Sequence, residues 1–280
     1  MPPVEQLRAS AKLTRSLRVT GVRPDGYHLL AAEMVSLDLA DEIEIEDGAD
    51  GLEVVDAVTW VDGTRPPSRA GSPGPSASDL AVAVVPSGGD NLVVRALDAV
   101  GRRARVRLTK RIPAGAGLGG GSSDAAAVLR WAAALDPELA LKLGADVPFC
   151  VAGGRALVSG VGDELEGQPY ERFTVVLVTP ALAVSTPEVY RAWDSLGGPV
   201  GETGNDLELA AVVVEPRLAW WRDLIEDVAG ERPRLAGSGS TWFVERSPEA
   251  AELLVADLKD AVLSERRRAL LVAATSTPGP

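Results

Sequence analysis

The chain has 280 residues, 46% of them hydrophobic and 24% charged, which fits a globular protein of two domains and excludes a fibrous or disordered architecture. Its apolar runs stay far below the roughly 20 residues of a membrane-spanning helix, and the opening Met-Pro-Pro-Val-Glu-Gln lacks the basic start and apolar centre of a signal peptide, so a cytoplasmic location is expected. A net charge of −12 argues against broad capture of nucleic acid or an anionic membrane surface, and a single cysteine (Cys150) with a single histidine (His28) excludes an internal disulfide and leaves little for a structural zinc site.

The first elements read as strands. Leu13, Leu17 and Val19 mark an extended segment, residues 21–26 form a turn, and Met34 to Leu39 leads into Ile43-Glu44-Ile45-Glu46, which alternates with period two. Residues 62–90 are crowded with Pro, Ser and Gly, broken only by the apolar run Leu80 to Val85, and are expected to form a loop or flap. Asn91 to Val100 has helical spacing with Gly101 placed to stop it, and Arg105 to Thr109 alternates as a half-buried strand. A glycine-rich segment, Pro113 to Asp124, then precedes a strong helix former, Ala125 to Leu135.

The texture changes near residues 152–160, which predicts an amino-terminal domain over 1–155 and a carboxy-terminal domain over 156–280. The second half alternates a strand (Phe173 to Val178), helical stretches around Val189 to Trp193 and Asn205 to Ile225, a strand at Trp242-Phe243-Val244 and a helix from Pro248 to about Leu263. That pattern suits an α+β layer with helices on one face of an antiparallel sheet. Thr275 to Pro280 read as a frayed end.

Five glycines fall in seven positions between strand and helix (Gly115, Gly117, Gly119, Gly120, Gly121). Without side chains their backbone N–H groups can close around phosphate oxygens, and the helix amino terminus behind them adds partial positive charge. The bland alternative is a turning loop whose Ser122, Ser123 and Asp124 cap the next helix, a task for which one or two glycines suffice. Gly115, Gly117 and Gly120 satisfy G-x-G-x-x-G, but mid-chain and after a proline, which disfavours a dinucleotide site, and no lysine follows the last glycine as a P-loop requires. Asp146, in Gly144-Ala145-Asp146-Val147-Pro148, reads alone as a turn former or helix cap, and Lys12 as a solvated lysine.

The run Pro113-Ala114-Gly115-Ala116-Gly117-Leu118-Gly119-Gly120-Gly121-Ser122-Ser123-Asp124 closely resembles the phosphate-binding motif of the GHMP small-metabolite kinases, which include galactokinase, homoserine kinase and mevalonate kinase. Ala11-Lys12-Leu13, Asp25-Gly26-Tyr27-His28, Asp90-Asn91-Leu92, the Asp146 turn, Asn205-Asp206-Leu207 and Gly237-Ser238-Gly239-Ser240 together resemble the 4-diphosphocytidyl-2-C-methyl-D-erythritol kinase family over about residues 10–245. The resemblance implies a two-domain α+β GHMP kinase fold. Its amino-terminal domain would be like ribosomal protein S5 domain 2, its carboxy-terminal domain ferredoxin-like, with the active site between them. The implied reaction transfers the γ-phosphoryl group of ATP to the 2-hydroxyl of a CDP-linked methylerythritol, in the non-mevalonate route to isoprenoid precursors.

By the same resemblance Lys12 and Asp146 are catalytic, and residues Pro113 to Ser123 bind the ATP phosphates. Tyr27 and Tyr190 stack on cytosine, with His28 at its polar edge and Thr186 beside them, and Gly237, Ser238 and Gly239 close the phosphate site. Thr14 stands where the family carries asparagine. Mg²⁺ is expected with no protein ligand assigned, Ser122 and Ser123 offering a hydroxyl to phosphate or metal if they do not cap the helix. Expected partners are a small-molecule acceptor, neither nucleic acid nor membrane, in a monomer or weak homodimer. Three rivals are a sister kinase for mevalonate or homoserine, a non-catalytic nucleotide-binding relative, and an RNA-binding module. Gly26-Tyr27-His28 with Tyr190 weighs against the first, since those acceptors have no base. Lys12 with Asp146 weighs against the second, and the net charge against the third.

Overall fold

The alternation in the first fifty residues resolves into one long hairpin. β1 (Val4–Val22) and β2 (His28–Asp47) pair antiparallel from Val4↔Glu46 to Val22↔His28. Their turn is closed by the Arg23 N–H donating to the Tyr27 carbonyl (2.8 Å), with Gly26 at a φ of 86° that a side chain would disfavour. The structure, a computed structural model, describes residues 3–61 and 85–280. Most of the Pro/Ser/Gly-rich stretch expected as a loop or flap lies outside the described residues.

β2 is long enough to pair along one edge with β1 and along the other with two strands in succession. β3 (Gly51–Asp56) runs parallel to β4 (Ala104–Lys110), which pairs antiparallel with the far end of β2, Glu42 to Asp47. Three helices follow α1 (Leu92–Ala99): α2 (Gly120–Trp131), α3 (Pro137–Leu143) and α4 (Val147–Ala152). Asn91 caps α1 by accepting the Val93 N–H (2.9 Å), and Asp136 caps α3 through the Glu138 N–H (2.9 Å). β5 (Arg155–Gly160) then pairs with the near end of β2, Leu30 to Val35, and β6 (Glu164–Gly167) pairs with β5. β5 and β6 therefore belong to the first sheet, and the chain changes sheet between Gly167 and Thr174.

The second sheet has the order β10-β7-β9-β8 and is antiparallel throughout. It holds β7 (Thr174–Pro180), β8 (Arg234–Leu235), β9 (Trp242–Arg246) and β10 (Ala269–Thr275), with α5 (Thr186–Ser195), α6 (Glu208–Val214), α7 (Arg217–Ala229) and α8 (Pro248–Ser264) between them in the chain. The expected helical stretch from Asn205 to Ile225 breaks at Pro216, whose ring has no N–H to continue α6. The carboxy-terminal residues are held, not frayed. Thr275 pairs with Thr174, the Ser276 N–H donates to the Phe173 carbonyl (3.0 Å) and the Thr277 N–H to the Ser36 carbonyl (2.9 Å).

β7 is buried at every position because both its faces are covered. Val176 and Val178 join the cluster that includes Leu254, Leu258 and Val262 of α8, while Val175 and Leu177 join Leu13 and Leu37 of the hairpin and Leu118 of the glycine segment. That second cluster packs the two sheets together directly beneath the glycine segment.

Candidate active site

α2 starts at Gly120, five positions before the expected Ala125, so the last glycines of the run are the helix's first turn. Gly119 is its N-cap in the left-handed region (φ 67°, ψ 22°) and no side chain caps the turn, which leaves its N–H groups to an anion. The serine cap considered from sequence does not form. The Ser123 hydroxyl donates to the Ser10 carbonyl (2.6 Å), and its N–H is taken by the Gly119 carbonyl (2.8 Å). Leu118 is buried between the sheets, and its carbonyl accepts the Lys12 N–H (3.0 Å). Ser123 and Leu118 thus face into the protein, and the remaining residues from Pro113 to Ser122 line a cavity of about 330 Å³.

Two of these glycines are required sterically. A Cβ on Gly117 would stand 2.7 Å from the carbonyl oxygens of Ala236 and Gly239, and one on Gly119 2.6 Å from Cγ of Lys12. The first close approach sets the Gly237-Ser238-Gly239 turn against the glycine segment, where the Thr241 hydroxyl donates to the Ala116 carbonyl (2.7 Å). Asn205 holds this second turn from behind, its Nδ2 donating to the carbonyls of Leu235 (2.9 Å) and Gly237 (2.7 Å). The Ser238 and Thr186 hydroxyls meet at 2.7 Å.

Beyond the turns lies a larger cavity, of about 600 Å³. It shares Gly117, Gly119 and Ser122 with the smaller one. At this shared wall Lys12, on β1 and buried, sets Nζ 3.2 Å from Oδ2 of Asp146 and donates to Oγ1 of Thr14, also at 3.2 Å. Asp146 occupies the N-cap position of α4 yet makes no capping bond with its side chain, so its carboxylate is left to Lys12 and the cavity. The neighbouring Cys150 thiol is pushed up to about 12, by burial first and then by the Asp146 charge, which keeps it unreactive.

The far end of the large cavity is aromatic. Tyr27, His28, Thr186 and Tyr190 all line it, but the ring that lies on Tyr190 is His28 (centroids 4.6 Å, planes 32° apart), while Tyr27 stands 65% exposed at the rim. Burial raises the Tyr190 phenol above its ordinary range, with the Asp146 charge adding to it. Sequence reasoning missed Asp194, which sits one turn after Tyr190 on α5 and meets Nε2 of His28 at 2.8 Å. The available signal was the i, i+4 spacing of the two residues on one helix face.

A buried charge cluster under the glycine segment was also missed. Nζ of Lys110 is bonded to Asp41 and to Asp124 (2.6 Å). Asp41 also accepts the N–H groups of Arg111 and Ile112, whereas Oδ1 of Asp124 has no partner. Burial keeps the Asp124 carboxyl up at about 7, against the pull of Lys110. Lys110 and Asp124 both line the smaller cavity.

Residues 91–154 match the family model described as the GHMP kinases N terminal domain. The 4-diphosphocytidyl-2-C-methyl-D-erythritol kinase of Paracoccus denitrificans is 36% identical over 264 residues, covering 87% of each chain. That of Sinorhizobium medicae is 32% identical over 311 residues, covering 98% of this chain and 95% of its own. Among solved structures, the crystal structure of 4-(cytidine 5'-diphospho)-2C-methyl-D-erythritol kinase superposes with a TM-score of 0.71 at 30% identity, over 98% of this chain and 100% of the other. The L. major mevalonate kinase, at a TM-score of 0.60, 14% identity and coverage of 98% and 96%, shares the fold. With that fold and with identity of this level running along nearly the whole of both chains, the protein belongs to the 4-diphosphocytidyl-2-C-methyl-D-erythritol kinase family of the GHMP kinases.

Proposed function

We propose that this kinase transfers the γ-phosphoryl group of ATP to the 2-hydroxyl of 4-diphosphocytidyl-2-C-methyl-D-erythritol, in the non-mevalonate route to isoprenoid precursors. The observation that carries the reading is the Lys12–Asp146 pair, 3.2 Å apart in the larger cavity, with Lys12 packed against Gly119 of the wall that the two cavities share. ATP occupies the smaller cavity with its phosphates on the N–H groups of the glycine segment and the amino terminus of α2. The acceptor fills the larger one, its cytosine held by Tyr27, His28 and Tyr190 and its reacting hydroxyl beside Asp146. Asp146 orients that hydroxyl and accepts its proton as oxygen bonds to the γ-phosphorus. The bond from that phosphorus to the β,γ-bridging oxygen breaks, and ADP leaves. Lys12 holds Asp146 in place and stabilises the charge on the transferring group.

Among the described residues no group of three or more His, Cys, Asp or Glu could hold a metal. Mg²⁺ would come with the nucleotide phosphates and would neutralise part of their charge. Ser122 is the hydroxyl that both cavities present. The nucleotide-side and acceptor-side units divide at the change of sheet after Gly167, and the protein works as a monomer or weak homodimer in the cytoplasm. Among the described residues no helix is long and apolar enough to cross a membrane. The test is to incubate the purified protein with ATP, Mg²⁺ and, in parallel, the CDP-linked acceptor, mevalonate and homoserine, and to weigh the products. One added phosphoryl group on the CDP-linked acceptor is expected; equal or better turnover of mevalonate or homoserine overturns the reading.

A further inference from the structure

At the aromatic end of the larger cavity one contact has no counterpart in the assigned roles. Asp194 Oδ1 lies 2.8 Å from Nε2 of His28. The carboxylate is nearly half exposed, while the imidazole is only 10% exposed, enclosed by Tyr190 on its face and by Trp193 edge-on at 5.6 Å. Tyr190, Trp193 and Asp194 all come from α5, whereas His28 opens β2 on the other sheet. The helix therefore grips the imidazole by ring contact and by one hydrogen bond. A carboxylate can only accept, so Nε2 must carry the hydrogen. In the neutral ring this leaves Nδ1 as an acceptor, for which nitrogen is protonated follows from the bond the other makes.

We propose that Asp194 is a positioning residue of the acceptor site: by holding Nε2–H it fixes the His28 ring on Tyr190 and leaves Nδ1 as a hydrogen-bond acceptor, selecting a pyrimidine whose edge carries an amino group. Cytosine has a 4-amino donor; uracil has a 4-oxo acceptor, which meets Nδ1 lone pair to lone pair. This rests on the proposed function, in that the base lies against His28 and Tyr190. A site that hydrogen-bonds one edge discriminates against the analogue that cannot return the bond.

Steady-state kinetics of wild type, Asp194→Ala and Asp194→Asn with the CDP-linked acceptor and its UDP-linked analogue test it. Asp194→Ala should raise KM for the CDP-linked acceptor about 5- to 10-fold and reduce the cytosine-over-uracil ratio by a similar factor, the scale of one neutral hydrogen bond. Both kcat and the KM for ATP should stay at their wild-type values. Asp194→Asn, whose amide oxygen still accepts from Nε2–H, should recover most of the discrimination. Because His28 is the sole histidine of the chain, ¹⁵N spectra report its ring without assignment. Wild type and Asp194→Asn should show protonated Nε2 and bare Nδ1, and Asp194→Ala an averaged pair. A wild-type enzyme that prefers cytosine and keeps that preference in Asp194→Ala overturns the role of Asp194 alone. A wild-type enzyme with no preference between the two acceptors overturns it together with the base-binding reading.

Discussion

A lysine and an aspartate 3.2 Å apart are common on protein surfaces, where such a pair contributes little. Here the lysine is buried, its backbone is tied to the glycine segment, and a Cβ on Gly119 would strike its side chain. The ammonium therefore has one place to go, between Thr14, Asp146 and the turn at Gly237. Asp146→Asn and Lys12→Ala should each lower kcat by about 10²–10⁴-fold, the scale for losing an acid-base or charge-stabilising group. Circular dichroism and calorimetry with a non-hydrolysable ATP analogue should show both variants folded and still binding nucleotide. Asparagine at 146 with near wild-type kcat would remove that carboxylate from the chemistry. These two residues were legible in sequence through the short motifs around them. Asp41 was not, because its partner Lys110 stands 69 residues away with no local pattern to mark it, and Asp194 left only its i, i+4 spacing from Tyr190, since His28 stands 166 residues away.

At the scale of elements, the strand, glycine turn and helix unit ties the smaller cavity to the core. Gly119→Val puts a branched side chain at positive φ and against Lys12, so it should abolish binding of the ATP analogue by calorimetry while far-ultraviolet circular dichroism stays native. Unchanged affinity would make the turn merely structural. The cluster beneath α2 makes a second prediction. Asp124 titrates near 7 in the fold and, by its ordinary value, near 3.8 unfolded, so between those values the folded state holds a proton that the unfolded state has lost. Stability must then fall as pH rises through that window. Urea midpoints at pH 5 and pH 8 should converge in Asp124→Asn, removing a difference on the order of 2–3 kcal/mol. The hairpin, α1 and β4 were legible from periodicity and punctuation. The early start of α2 was not, since glycine is a poor helix former and the turn is held by close approach to Lys12 and Gly239. The polar residues just after β10, Ser276 and Thr277, give no apolar signal and are held through their backbone.

At the scale of the molecule, the two sheets are joined by the apolar layer under the glycine segment and, among their polar contacts, by the Arg15 guanidinium. Arg15 of β1 bonds Glu33 of β2 (2.9 Å) and Glu245 of β9 (3.1 Å) and lies over the Phe173 ring at 4.4 Å. Its side chain is 14% exposed, and its charge is held by those carboxylates against the cost of burial. Arg15→Ala removes a partly buried guanidinium shared by Glu33 and Glu245, which keep Arg155 and Arg234 as partners, and should cost about 1.5–3 kcal/mol in urea unfolding. Arg103→Ala, which breaks an exposed pair with Asp50, should cost under about 1 kcal/mol. Equal losses in the two variants would show that Arg15 contributes no more than a surface charge.

The wall of Gly117, Gly119 and Ser122 common to both cavities also dictates the order of events over a catalytic cycle. The two ligands can sit side by side, with only that wall and the Lys12–Asp146 pair where they meet, and no side chain there need carry the phosphoryl group between them. Direct transfer within a ternary complex is therefore the expected course. Initial rates measured against one substrate at several fixed levels of the other should give intersecting double-reciprocal lines. No radiolabel from γ-³²P ATP should stay on the protein when the acceptor is withheld.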